Sequence, residues 1–173
     1  MTAQRLTHDD SGRLIPICCA ADVSAEVKDR LLQRAQDYGN GNAMQIFLVF
    51  VDSLTIQYNE QSEHGHNTSS DPASPFKDKT SQECAALLQE LRRNGADIDF
   101  ELFAIIDKRS LQDETALIVD AQLDGEEFYD FGTLRVPFEL TYGRLASYSV
   151  GDASGSVDSV ASLTMPNGVF RER

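Results

Sequence analysis

The hydrophobic residues in the first part of the chain form two apolar blocks that predict β-strands. Residues 14–19 (Leu-Ile-Pro-Ile-Cys-Cys) are typical of a short buried strand, and Pro16 indicates a sheet edge because proline has no amide to donate. Residues 46–51 are continuously β-branched or aromatic. Because this second block does not alternate with polar residues, we expect a central strand that is covered on both faces.

Two other segments carry apolar residues at helical spacing. The first is capped by Asp22 or Ser24 and runs to about Tyr38, where glycines and asparagines end it; its apolar positions are Val23, Val27, Leu31 and Ala35. The second opens on Thr80 and Glu83, which are spaced as a capping box. Its predicted buried stripe comprises Cys84, Leu87, Leu88 and Leu91.

The second half of the chain predicts mostly strands. Phe100–Ile106 and Thr115–Val119 are joined by too few residues for a crossover helix, so we expect an antiparallel hairpin. A turn at Asp124 is followed by a peripheral strand over Leu134–Phe138, while residues 140–165 predict no clear element. This order predicts an α/β fold, or the related α+β arrangement: a single-domain sandwich with a mixed sheet and at least two packing helices.

With 173 residues the chain has the length of one domain, which we place at residues 13–171 after a polar tail of residues 1–12. Residues 57–80 are rich in serine and histidine and predict a surface insertion. We expect residues 60–78 to be mobile and dispensable, because they offer almost no apolar surface to offset the cost of ordering. The only apolar residues in the insertion are Tyr58, Ala73 and Phe76.

Charge excludes several classes of partner. The chain has 15 Lys and Arg against 28 Asp and Glu, a formal charge of −13, which argues against binding to nucleic acids and anionic membranes. The N-terminus lacks the apolar region of a signal peptide, and no apolar run approaches the length of a membrane span. The three cysteines include no Cys-x-x-Cys pair, so we expect free thiols and a cytoplasmic protein.

Aspartates follow three of the predicted strands, at Asp52, Asp107 and Asp120. Carboxylates at the C-terminal ends of parallel strands gather at one edge, where they can hold Mg²⁺ for hydrolysis or group transfer. The predicted hairpin keeps Asp52 and Asp107 at a shared edge and sends Asp120 to the opposite one. The simpler interpretation is that each aspartate is a turn residue that accepts local backbone amides.

Cysteine and histidine side chains provide two further candidate sites. Cys18 and Cys19 point to opposite faces of their strand, and a thiol near the following helix N-terminus would have a lowered pKa. A catalytic cysteine needs a histidine partner, however, and His8, His64 and His66 all lie in predicted loops. His64 and His66 could bind a transition metal together with a nearby carboxylate, although a solvated loop is the better interpretation of this segment.

The last candidate is a docking surface in the acidic second half of the chain. Residues 126–131 alternate acids with aromatic rings: Glu126, Glu127, Phe128, Tyr129, Asp130 and Phe131. Exposed rings supply buried area at interfaces, and acids steer a basic partner. Alternatively, Phe128 and Phe131 belong to the core and the acids keep the surface soluble.

Several short motifs occur in a fixed order along residues 13–171. After the opening strand and helix they are Phe47–Asp52, Phe103–Asp107 with Arg109 and Ser110, Ala116–Asp120, Leu134–Pro137 and Asn167–Arg171. In this order they resemble a family of small, functionally uncharacterised bacterial α/β domains. The chain departs from that family by the insertion at 57–80 and at 141–160, which is richer in Asn and Met in the family. The resemblance implies the fold and no activity.

The sequence therefore favours a non-enzymatic interaction module that binds a basic protein through Glu126, Glu127, Phe128, Tyr129 and Asp130. The alternative is a small enzyme, which would use either a metal on Asp52 and Asp107 or a thiol at Cys18 or Cys19. No glycine-rich nucleotide motif is present, and we expect no cofactor.

Overall fold

A mixed β-sheet with helices on both faces forms the centre of the protein, as the order of elements predicts. The computed structural model describes residues 13–42, 47–62, 73–149 and 168–169. In these ranges the elements are β1 (Ile15–Cys19), α1 (Ala25–Gly41), β2 (Leu48–Phe50), α2 (Ser81–Arg93), β3 (Leu102–Ile106), α3 (Ser110–Asp113), β4 (Thr115–Asp124), β5 (Glu127–Pro137) and α4 (Phe138–Ser149).

The strand order is β2-β1-β3-β4-β5. β1 runs parallel to both β2 and β3, whereas β3, β4 and β5 pair antiparallel in succession. The predicted hairpin between β3 and β4 is therefore confirmed, and α3 occupies its connection. Parallel neighbours on both sides of β1 require crossovers, which α1 and α2 provide on opposite faces of the sheet.

Each face of the sheet carries its own buried cluster. The first cluster joins the sheet to α1 and α4, with residues such as Ile17, Leu31, Phe50, Phe138 and Leu145. The second cluster joins the sheet to α2, with residues such as Cys18, Phe76, Leu88, Phe103 and Val119. The apolar strand pattern predicts that Phe47, Val49, Phe103, Ile105, Leu117 and Val119 lie nearly fully buried. Val49, Phe103, Ile105 and Val119 do so, whereas Phe47 and Leu117 are half-buried at the border of the second cluster.

Both predicted helix starts are confirmed. The Ser24 hydroxyl accepts the amide of Val27 at the start of α1. Thr80 and Glu83 form the complete capping box of α2, each side chain accepting the backbone amide of the other residue. These ends are set by residues a few positions apart, which is why the sequence identifies them correctly.

The positions of the first two strands differ from the prediction: β1 is an inner strand and β2 lies at one edge. The amide of Ile15 donates to the carbonyl of Phe47 on the β2 side (2.7 Å), so position 16 faces β3. The β1–β3 ladder starts only at Ile17, and Pro16 therefore removes no ladder hydrogen bond. β2 is buried on both faces as predicted, although it is not central.

The ends of the predicted insertion are part of the fold. Ser62 lies along the edge of β2, where its amide donates to the carbonyl of Leu48 (2.8 Å) and its hydroxyl accepts the amide of Phe50 (2.9 Å). Phe76 is fully buried in the second cluster. The expectation that residues 60–78 offer almost no apolar surface is therefore wrong at Phe76, and residues 63–72 lie outside the described residues.

Helix α4 occupies part of the stretch for which the sequence predicted no element. Its buried hydrophobic side chains are Phe138, Tyr142, Leu145 and Ala146, a helical spacing that becomes visible only when Phe138 is assigned to the helix instead of to the preceding strand. The helix packs closely on α1, because a Cβ at Gly143 would lie 2.5 Å from Cζ of Tyr38. Residues 150–165 lie outside the described residues.

Candidate functional site

The C-terminal edge of the parallel strands brings together three of the candidate residues. Cys19 ends β1, Asp52 follows β2 and Asp107 follows β3. Asp120 pairs with Leu102 at the start of β3 and therefore lies at the opposite edge, as the predicted hairpin requires. The connections of β1 and β2 leave this edge toward opposite faces of the sheet, which is where α/β proteins form a crevice.

Asp107 is held by one side chain of α3 and one of β5. Its carboxylate accepts the amide and the hydroxyl of Ser110 (both 3.0 Å) and pairs with the guanidinium of Arg135, which is only 10% exposed. Burial alone would raise the pKa of Asp107, but hydrogen bonds from Arg135 and Ser110 outweigh it and keep this pKa below its ordinary value. The carboxylate of Asp107 and the guanidinium of Arg135 therefore form an ion pair that links the end of β3 to β5.

Asp52 is paired with a cation that the sequence did not single out. The Nζ of Lys28 lies 2.9 Å from Oδ1 of Asp52 and 5.5 Å from the ring centroid of Phe50. Lys28 is 5% exposed, whereas the Asp52 side chain is 38% exposed. The sequence feature that could have identified Lys28 is its position in α1, where it lies next to the buried stripe and four residues after the N-cap Ser24.

A cleft of about 360 Å³ opens above this ion pair. Its walls come from the end of β1, the start of α1, the end of β2 and the segment at residues 73–74; the polar or reactive residues among them are Cys19, Asp22, Ser24, Lys28, Asp52 and Ser74. In the described ranges no group of three His, Cys, Asp or Glu side chains is placed to hold a metal ion. Asp52 and Asp107 each have a cationic partner, so the edge carries two ion pairs.

The Lys28–Asp52 pair leads to an asymmetric prediction for stability. Asp52→Asn removes the carboxylate charge beside a buried ammonium and is expected to lower the free energy of unfolding by about 1–3 kcal/mol. Lys28→Met keeps the volume of the stem and leaves a carboxylate that reaches water, so we expect a loss below about 1.5 kcal/mol. Urea denaturation of both variants at neutral pH tests this order. A larger loss for Lys28→Met would contradict it.

The two adjacent cysteines lie on opposite faces of β1, as predicted. Cys18 belongs to the second cluster and Cys19 to the first, and both are buried. Burial, together with a hydrogen bond to Cys84, holds the pKa of Cys18 well above its ordinary value, so this thiol is not activated. Cys19 lines the cleft. The candidate histidine partners and metal ligands, His8, His64 and His66, lie outside the described residues.

A charged network that the sequence analysis missed ties α1 to α4. Glu114 pairs with Arg30 and Arg34, and Arg34 also reaches Glu139 (3.3 Å). The hydrogen bond from Arg30 lowers the pKa of Glu114. Because these charges come from elements far apart in sequence, no local pattern could have shown that they meet, and they serve the packing of the fold.

The predicted docking residues lie on the β4–β5 hairpin. Gly125, with a φ of +67°, is the first residue of its two-residue loop, where a positive φ favours glycine. After this loop, Phe128 pairs with Leu123, and the next residue of β4, Gln122, pairs with Asp130. Tyr129 is therefore the extra residue of a β-bulge.

This bulge divides the aromatic residues into two groups. Phe128 and Phe131 are three positions apart, yet both pack on the second cluster, with ring centroids 5.4 Å from each other. Phe128 also meets Phe100 edge-on at 6.3 Å. Tyr129 points away and is 67% exposed. The two phenylalanines therefore pack the hairpin onto the second cluster, and the bulge leaves the ring of Tyr129 exposed to solvent.

Exposed carboxylates flank Tyr129 in the sequence of the hairpin. Glu126, Glu127 and Asp130 are all exposed, and we call these three residues together with Tyr129 the hairpin surface. Glu126 contacts Arg93 of α2 (3.4 Å), and Asp130 accepts the amide of Phe131 (2.8 Å). The side chain of Glu126 remains 87% exposed despite this contact.

No helix in the described part of the chain is both long and apolar enough to cross a bilayer. No family model, no curated protein and no solved structure matches the chain. The resemblance to small bacterial α/β domains stays a prediction that rests on its motifs.

Proposed function

We propose that the protein is a non-enzymatic interaction module whose hairpin surface binds a cationic segment of another protein. The observation that supports this most is Tyr129, an aromatic ring 67% exposed on a β-bulge between carboxylates. A large exposed ring costs solubility, and rings of this kind anchor many interfaces. Bulges at sheet edges commonly re-aim a side chain for such a purpose.

The charge of the chain selects the class of partner. A formal charge of −13 surrounds the molecule with a negative potential, which attracts cations and repels nucleic acids and anionic lipids. The hairpin surface carries three carboxylates within three positions of Tyr129, and in the described ranges Glu126 is in contact with one basic residue, Arg93. A basic protein segment matches this surface in charge.

Phe128 has a supporting role in this proposal. It is half-buried against Phe100 and Phe131 and holds the hairpin in place, so that contact with the partner falls to Tyr129. Phe128→Ala therefore does not isolate docking from folding, whereas a substitution at Tyr129 does.

The alternative, a small enzyme, has less support. A metal on Asp52 and Asp107 would have to displace the ammonium of Lys28 and the guanidinium of Arg135. A cysteine mechanism would need a reactive thiolate, whereas Cys18 is buried and its pKa is raised. Cys19 is buried as well, although it lines the cleft.

Neutralising the hairpin surface tests the proposal. In the triple variant Glu126→Gln, Glu127→Gln, Asp130→Asn, we expect the Kd for a fluorescent peptide of alternating Gly and Arg to rise at least about ten-fold. The matched control removes the same number of charges elsewhere, through Asp37→Asn, Glu60→Gln and Asp78→Asn, and should change the Kd by less than about two-fold. Equal losses in both variants would mean that the peptide senses only net charge, and the proposal would fail.

A further inference from the structure

We infer that the partner contacts the hairpin surface through arginine in preference to lysine, with a guanidinium stacked on the ring of Tyr129. This inference rests on the proposed function and specifies the chemistry of the partner segment. It follows from the combination of an exposed ring and carboxylates at one bulge, because neither feature alone distinguishes the two basic side chains.

The shape of the bulge makes the ring available. Tyr129 has no cross-strand partner in the β4–β5 register, and the hydrophobic contacts on the hairpin are made by Phe128 and Phe131. With 67% of Tyr129 exposed, a planar group can approach the ring without displacing the core. The phenylalanines beneath hold the hairpin, so the ring is presented from a supported strand.

The carboxylates beside the ring suit a group with several donors. In the described part of the chain Glu127 has no ion-pair partner, and Asp130 uses Oδ1 to accept the amide of Phe131. Glu126 already receives a guanidinium, that of Arg93, at 3.4 Å. Glu126 therefore already binds an arginine of α2, whereas the carboxylates of Glu127 and Asp130, two positions and one position from Tyr129, are left for the partner.

Arginine and lysine differ in their ability to use this arrangement. A guanidinium is planar and weakly hydrated, so it stacks on a ring while its edge donates to a carboxylate. An ammonium is compact and strongly hydrated, and it loses more solvation when it approaches the ring. At an exposed ring this contact is worth about a two- to five-fold change in affinity.

Two peptides of equal charge test the inference: alternating Gly-Arg and alternating Gly-Lys of the same length, titrated against the full chain. We expect the arginine peptide to bind about two- to five-fold more tightly. Tyr129→Leu, which keeps apolar bulk without the ring, should abolish this preference. Tyr129→Phe, which keeps the ring, should preserve it. Circular dichroism of both variants should match that of the parent, because position 129 is exposed.

The outcomes separate this inference from the proposed function. Equal affinity for the two peptides, with loss of both in the hairpin triple variant, would overturn the arginine preference and leave the docking role standing. A preference that survives in Tyr129→Leu would also overturn the inference, since the ring would then not be its origin. Absence of binding by either peptide would overturn both.

Discussion

Phe76→Ala is expected to lower the free energy of unfolding by about 3–5 kcal/mol, although Phe76 lies in a segment with the composition of a solvated loop. The ring is 0% exposed and belongs to the second cluster together with α2 and the sheet. Truncation would leave a cavity that the surrounding strands and helix can fill only in part. Urea denaturation monitored by circular dichroism measures the loss.

Lys79→Ala is the matched control, because Lys79 is an exposed residue of the same segment and its side chain makes a long contact with Glu83 (3.8 Å). It should change stability by less than about 0.5 kcal/mol. A loss below about 1 kcal/mol for Phe76→Ala would show that the segment does not contribute to the core in solution.

Phe103→Ala should have an effect of the same size, about 3–5 kcal/mol, for a different reason. Phe103 is the second residue of β3 and lies opposite Val119, and both are 0% exposed in the second cluster. A shift of one residue in the β3–β4 register would turn Phe103 to the other face and its neighbours with it. The variant therefore tests the register as well as the packing.

The control for Phe103 is Leu111→Ala, a truncation at a residue that is 42% exposed in α3. It should cost less than about 0.5 kcal/mol. Similar losses in the two variants, each below about 1 kcal/mol, would mean that the strands pair in a different register from the one described.

Features set by neighbouring residues were predictable from the sequence. The caps of α1 and α2 depend on residues three positions apart, and the β3–β4 hairpin follows from a connection too short for a crossover. The place of a strand within the sheet is not local. β1 was expected at an edge because of Pro16, yet the ladder on that side starts one residue later.

The sequence predicted the candidate sites only in part. It placed Asp52 and Asp107 at one edge but missed Lys28 and Arg135, because lysine and arginine on a surface helix or an edge strand ordinarily face water. It identified the aromatic residues of the hairpin without separating Tyr129 from Phe128. That division depends on the β-bulge, whose register shift is visible only in three dimensions.

The association rate of the Gly-Arg peptide, measured by stopped flow at increasing ionic strength, tests the docking role most directly. Between about 0.01 M and about 0.15 M the Debye length shrinks from about 30 Å to about 8 Å, so steering by the hairpin surface should weaken and the rate constant should fall at least about ten-fold. The hairpin triple variant should show a much shallower fall, whereas Tyr129→Leu should act on the dissociation rate. An association rate that does not depend on salt, or the same dependence in the hairpin triple variant, would contradict the account.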